Sequence, residues 1–239
     1  VLAHLGHLPR WEEYAPHMDM ADVLLVGDER VYTLIDNMLS TIAKCFTTRK
    51  IHIGMDEEDI NMAKNREYAI CRHGNLYWHD LRYLCDCVAD TGAKAAIWYD
   101  AAFVNPEEYK KHFDIDEVLL CPWYYWSLKP ENFTKMEDFP WRGQFDHLNL
   151  RVIEDLPRLK NFREQGIDYC KAGQTYLPTS WPSRPNNTYN LMEFLMAAPD
   201  ENILGHIVAP WVATLTENKE KFEKAFRDFR EAKAKFYPE

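Results

Sequence analysis

Short apolar runs alternate along the chain with stretches whose apolar residues recur every three or four positions. The runs Val1–Leu5, Lys50–Gly54, Lys94–Trp98, Val118–Pro122, Asp168–Ala172 and Ile203–Ala209 have strand length and predict strands. The stretches Glu29–Cys45, Leu76–Thr91, Pro106–His112, Leu156–Gln165, Tyr189–Met196 and Asn218–Phe236 predict helices. The first of these places Val31, Leu34, Ile35, Met38, Leu39 and Ile42 on one face, a 3.6-residue period. Gly92 and Gly166 stand where a left-handed cap would close a helix.

Strand-then-helix order implies parallel strands joined by helical crossovers. His7, Asp56-Glu57, Asp100, Trp123–Trp126, Trp181, Trp211 and Glu217 fall at strand ends. Polar and aromatic groups gathered at the C-terminal ends of successive strands predict the mouth of a barrel. The expected class is therefore α/β, a TIM-type (β/α)8 barrel with about six βα units in this chain. An open doubly wound sheet is the runner-up. It would usually carry a Gly-rich phosphate turn, and the sequence has none.

Length fits that expectation, since 239 residues suit one large domain. The reading is a single catalytic barrel over 1–239, N-terminally incomplete, because Val1 already sits inside an apolar run. No apolar run, Asp22–Val26 and Ala95–Trp98 included, approaches the ~20 residues of a membrane span. A net charge of −10 argues against nucleic acid as a partner, because phosphate binding needs a basic footprint. Aromatic residues make up 14%, including eight Trp and thirteen Tyr, which suits a sugar site or an aromatic-rich core. Cys45, Cys71, Cys85, Cys87, Cys121 and Cys170 follow neither a redox nor a zinc spacing and read mostly as buried free thiols, favouring a reducing cytoplasm. No metal or cofactor is expected.

The segment Ile51-His52-Ile53-Gly54-Met55-Asp56-Glu57 carries the chemistry. An apolar strand ending in two adjacent carboxylates is unfavourable unless something uses them. Like charges side by side also raise one pKa, as a general acid near neutral pH requires. An acidic first turn on the next helix explains the pair equally well from pattern alone.

The segment resembles the His-x-Gly-x-Asp-Glu signature of glycoside hydrolase family 20, and the wider stretch from Asp22-Val23-Leu24-Leu25-Val26-Gly27 through Glu57 resembles its bacterial exo-hexosaminidase branch. Other matches follow in chain order. Ala3-His4-Leu5-Gly6-His7 resembles the third strand end, and Ile97-Trp98-Tyr99-Asp100 resembles the Trp-Ser-Asp strand. Trp123-Tyr124-Tyr125-Trp126-Ser127 resembles the aromatic strand after it. Trp181 with Pro185-Asn186-Asn187, and Trp211 with Glu217, resemble the last two strands.

The resemblance implies hydrolysis of terminal β-linked GlcNAc or GalNAc in which the sugar's own acetamido oxygen attacks the anomeric carbon. Glu57 would protonate the leaving oxygen and later activate water. Asp56 would hold the acetamido N–H, and Tyr125 would donate to the acetamido oxygen. Trp98, Trp181 and Trp211 would wall the sugar. Glu217 would reach its hydroxyls, with His7, Asp100 and Trp123 also at the site. His7 and His52 would orient carboxylates, although His52 reads as well as a satisfied interior residue. Taken singly, each Trp is more commonly a core aromatic.

Three departures matter. Trp211 is followed by Val212-Ala213-Thr214 where relatives carry acidic residues. Tyr99 and Tyr124 stand where Ser and Asp are usual. Glu58 and Asp59 add negative charge beside Glu57. The family's first two βα units, with the Arg that grips sugar hydroxyls, have no counterpart. Six units alone leave an open edge, to be closed by upstream sequence or by a partner, and a homo-oligomer is compatible with that. The expected partner is an amino-sugar glycoside, and the alternative is a catalytically impaired amino-sugar-binding relative. A third reading is a glycosidase with a protein nucleophile and no need of the acetamido group.

Overall fold

The computed structural model describes residues 9–20, 23–56, 75–123, 125, 156–183, 187–188 and 200–238. Two compact units divide the chain, Val1–Cys121 and Pro122–Glu239. The expected strand Val1–Leu5 and the expected helix Tyr189–Met196 lie outside the described residues.

In the first unit, a 3₁₀ segment Pro9–His17 leads into an antiparallel pair, β1 (Met18–Met20) and β2 (Val23–Leu24). Helix α1 (Glu29–Cys45) has the predicted bounds, and Val31, Ile35 and Leu39 form its buried stripe. Its start is fixed by Asp28, whose Oδ1 accepts from the backbone N–H of Arg30 at 2.9 Å and of Val31 at 3.1 Å. The other oxygen of Asp28 meets His17 Nδ1 at 2.8 Å. That hydrogen bond, followed by those from the helix N-terminus, holds the Asp28 carboxyl below its ordinary pKa.

The centre of this unit is a parallel sheet in the order β3 (Lys50–Gly54), β4 (Lys94–Trp98), β5 (Leu119–Cys121). Helix α2 (Asn75–Asp90) lies between β3 and β4 in sequence, and α3 (Asp100–Val104) and α4 (Pro106–His112) lie between β4 and β5. These are the crossovers that parallel neighbours need. On α2, Tyr77, Trp78, Leu81, Leu84, Cys85 and Val88 are buried, and Trp78 stacks on His112 with ring centroids 5.4 Å apart. Arg82 pairs with Glu117 and covers the Phe113 ring at 4.2 Å. Gly92 closes α2 in the left-handed conformation, φ 77°, as the sequence predicts.

The second unit holds α5 (Leu156–Lys171), a short parallel pair β6 (Thr179–Ser180) and β7 (Ile207–Val208), and α6 (Lys219–Phe236). Isolated parallel bridges add Trp123 beside Thr179 and Tyr176 beside Ile203. The expected strand Asp168–Ala172 is instead the last turn of α5. Gly166, Tyr169 and Cys170 are buried at i, i+3 and i+4, which is a helical face. Gly166 is therefore helical and not a cap. The cap is Gly173 at φ 103°, with Gln174 N–H bonded to Tyr169 O and Gly173 N–H to Cys170 O, both at 3.0 Å. The expected strand Ile203–Ala209 shortens to Ile207–Val208, because Gly205 at φ 145° interrupts it.

Among the described residues, no helix is long and apolar enough to cross a membrane. The five described cysteines are free: Cys85, Cys121 and Cys170 are buried, Cys87 is half-buried and Cys45 is exposed.

Candidate functional site

In the first unit, the chain leaves β3 through two successive left-handed residues, Gly54 at φ 88° and Met55 at φ 70°. A non-glycine residue there costs about 1–2 kcal/mol. Burial of the Met55 side chain and a hydrogen bond from the Tyr77 hydroxyl to Met55 O, at 3.1 Å, hold it in place. Asp56 follows directly and is half-buried. Glu57, the other member of the pair, lies outside the described residues, as does His7.

His52 sits two residues before this turn, between the buried Ile51 and Ile53. Gly54 N–H donates to its Nδ1 at 3.1 Å, which makes Nε2 the protonated nitrogen of the neutral ring. The ring packs against Trp98 with centroids 4.3 Å apart. Burial pulls the imidazole pKa down to about 4, so the ring is neutral at pH 7. Its Nε2 is buried with no hydrogen-bond partner among the described residues.

A pH dependence follows. The unfolded chain binds a proton at His52 near pH 6.5, and the folded chain does so near 4. The stability contribution is complete above pH 6.5 and is lost as pH falls toward 4. The slope is at most about 1.4 kcal/mol per pH unit for each such histidine. His206, lowered by burial to about 4, acts in the same sense. Urea denaturation across this range should show His52→Phe with a shallower slope than wild type. An unchanged slope would contradict the buried neutral ring.

At the end of β4, Trp98 is buried and in register with Cys121. Tyr99 is fully buried, with its ring near Phe103, so the Ser-to-Tyr departure is met by core packing. Asp100 opens α3 and is half-buried. The first unit thus brings His52, Trp98 and the turn to Asp56 together at adjacent strand ends.

In the second unit, three sequence-predicted tryptophans converge on one phenol, that of Tyr125. Tyr125 lies 5.1 Å from the Trp123 ring and 5.5 Å from that of Trp181, the latter edge-on. The Trp211 indole N–H donates to the Tyr125 hydroxyl at 3.0 Å. Local pairing explains the placement. Trp123 bridges to Thr179, and Trp181 directly follows β6. Trp181 N–H then donates to Asn187 Oδ1 at 2.8 Å, and Ser180 and Thr188 hydroxyls bond at 3.0 Å in a buried setting. Trp211 adopts a left-handed φ of 51° and leaves 53% of its surface exposed. Glu217 lies on the 3₁₀ turn Thr216–Asn218, exposed, and no described contact joins it to the four rings.

An exposed indole face backed by further rings is a surface on which the apolar face of a pyranose packs. Burial pushes the Cys85, Cys121 and Cys170 thiols up to about 12, so these three are not thiolates at neutral pH. Among the described residues, no group of three or more His, Cys, Asp or Glu could hold a metal ion. Sequence reasoning missed Tyr77 as the support of the Met55 turn and the buried Asn187–Thr188 brace behind Trp181. Tyr77 reads as one more apolar position on α2, and a left-handed Met or Trp leaves no trace in the sequence.

No protein-family model matches the chain, and no curated protein matches it significantly. Solved structures do. A GH20 exo β-N-acetylglucosaminidase from Vibrio harveyi, in complex with N-acetylglucosamine, matches with TM-score 0.52 and 13% identity, over 89% of this chain and 32% of that one. A β-N-acetylhexosaminidase from Bacteroides fragilis matches with TM-score 0.53 and 14% identity, over 93% of this chain and 44% of that one. These neighbours are TIM-barrel enzymes. The chain therefore has a GH20-like α/β fold and spans less than half the length of either enzyme.

Proposed function

We propose that the protein carrying this chain is a retaining, exo-acting β-N-acetylhexosaminidase working by substrate-assisted catalysis, with residues 1–239 belonging to its catalytic barrel domain. The observation that carries this reading is the convergence of Trp123, Trp181 and Trp211 on Tyr125. Sugar recognition calls for such a surface, and an oriented phenol donor suits a carbonyl acceptor. The fold shared with hexosaminidases and the half-buried Asp56 after the strained Met55 turn support the same reading.

In this reading Glu57 gives its proton to the glycosidic oxygen as that bond breaks, while the acetamido oxygen of the substrate bonds to the anomeric carbon. Asp56 accepts from the acetamido N–H and stabilises the positive charge of the oxazolinium ion. Tyr125 donates to the acetamido oxygen, and Trp98, Trp181 and Trp211 wall the sugar. His7, Asp100, Trp123 and Glu217 complete the binding residues. Glu57 then takes a proton from the water that opens the intermediate, so configuration is retained.

The test is hydrolysis of 4-nitrophenyl β-GlcNAc and β-GalNAc by the full-length protein. Turnover of at least one supports the reading, and inertness toward both contradicts it. The altered last strand, Trp211-Val212-Ala213-Thr214, and the exposed Glu217 favour a second reading, an amino-sugar-binding relative without turnover. That reading requires calorimetric binding of N-acetylglucosamine with no hydrolysis.

A further inference from the structure

The Trp211–Tyr125 hydrogen bond carries information beyond aromatic packing. An indole N–H can only donate, so in this 3.0 Å contact the phenol oxygen is the acceptor. The rings of Trp123 and Trp181, with centroids 5.1 and 5.5 Å away, pack against the Tyr125 ring and restrict it. What remains is rotation of the hydroxyl proton about the C–O bond. Conjugation keeps that proton near the ring plane, in one of two orientations. A donor sitting on the oxygen biases which of the two the proton takes.

The backbone points the same way. Trp211 is held at φ 51°, a region that L side chains with a large Cβ substituent avoid. The residue is 53% exposed, so it is not core burial that holds this backbone geometry. In this conformation the indole N–H reaches the Tyr125 hydroxyl. A strained residue that carries a directed hydrogen bond is where a functional constraint is expected.

We infer that Trp211 is a positioning residue for Tyr125: its N–H takes a lone pair of the phenol oxygen and presets the phenolic proton as donor toward a bound acyl oxygen. This rests on the hexosaminidase reading, in which that acceptor is the substrate's acetamido oxygen. The proton is then already oriented before the oxygen attacks, and the hydrogen bond strengthens as charge develops. Loss of the indole N–H therefore lowers kcat more than it raises KM.

The experiment is a double-mutant cycle on the full-length protein, with 4-nitrophenyl β-GlcNAc as substrate. Trp211→Phe is expected to lower kcat about tenfold, the size of one oriented neutral hydrogen bond. In a Tyr125→Phe background the same change should cost no more than about twofold. Replacing Trp211 by its benzothienyl analogue, which exchanges the N–H for sulfur and keeps the ring shape, should reproduce the loss without altering the melting temperature. Equal losses with and without Tyr125 would overturn the inference and leave the hexosaminidase reading standing. An inert wild type would overturn the hexosaminidase reading. Calorimetric binding of N-acetylglucosamine then decides on Trp211, because the analogue should weaken binding only when Tyr125 is present. Equal weakening in both backgrounds would refute the inference there too.

Discussion

Replacing Glu57 by Gln is expected to lower turnover by roughly 10²–10⁴-fold, the range of a positioned general acid–base. The amide keeps the volume and removes the proton that the leaving oxygen needs. The loss should depend on the leaving group. Nitrophenolate departs with little protonation, whereas a sugar alkoxide does not, so chitobiose should lose far more than the nitrophenyl glycoside. Steady-state kcat/KM on both substrates checks this. Equal losses on the two would show a damaged fold or a lost binding contact in place of a lost acid. Asp56→Asn should behave differently, because its task is to stabilise the acetamido group and the charge on it. Its loss should be similar for both leaving groups.

The second large effect concerns the sheet that carries the Asp56 turn. Ile97 is fully buried on the central strand β4, in register with Gly54 on one side and Leu120 on the other. Ile97→Ala removes apolar volume where neighbouring strands cannot easily collapse. It should cost about 2–5 kcal/mol, the transfer loss plus the cavity. That is a large share of a typical total of about 5–15 kcal/mol. Ile115→Ala, at a 44% exposed position of the same unit, should stay within about 0.5 kcal/mol. Urea denaturation of both variants tests the comparison. A cost for Ile97→Ala no larger than that for Ile115→Ala would contradict the assignment of β4 to the core.

The sequence made some elements readable and hid others for identifiable reasons. Helices α1 and α4 and strands β3 and β4 match their predicted bounds, because their periodicity is strong and their ends carry clear signals. The segment Asp168–Ala172 misled because Tyr169, Cys170 and Ala172 make an apolar cluster that strand and helix share over five residues. Tertiary burial of one helical face decided it. The short helix α3 was not foreseen, since Asp100–Val104 is too brief to show a period. For the candidate site, Trp123, Tyr125, Trp181 and Trp211 were readable as strand-end aromatics, and the structure brings them together. The Trp211–Tyr125 hydrogen bond was not readable, because it joins positions 86 residues apart through a strained backbone. His52 had two open readings. The structure gives it one satisfied nitrogen, Nδ1, and a buried Nε2.

The central claim is that the substrate's acetamido oxygen is the nucleophile. It is tested most directly by a series of 4-nitrophenyl β-glycosides whose 2-acetamido group carries zero, one, two or three fluorines. Fluorine makes the carbonyl oxygen a poorer nucleophile while changing its size little. Under the account, kcat/KM falls steeply with each fluorine, and the corresponding β-glucoside, which has no acetamido group, is not turned over. A flat series, or a glucoside cleaved as fast as the acetamido sugar, would show that the acetamido oxygen is not the nucleophile and would contradict the account.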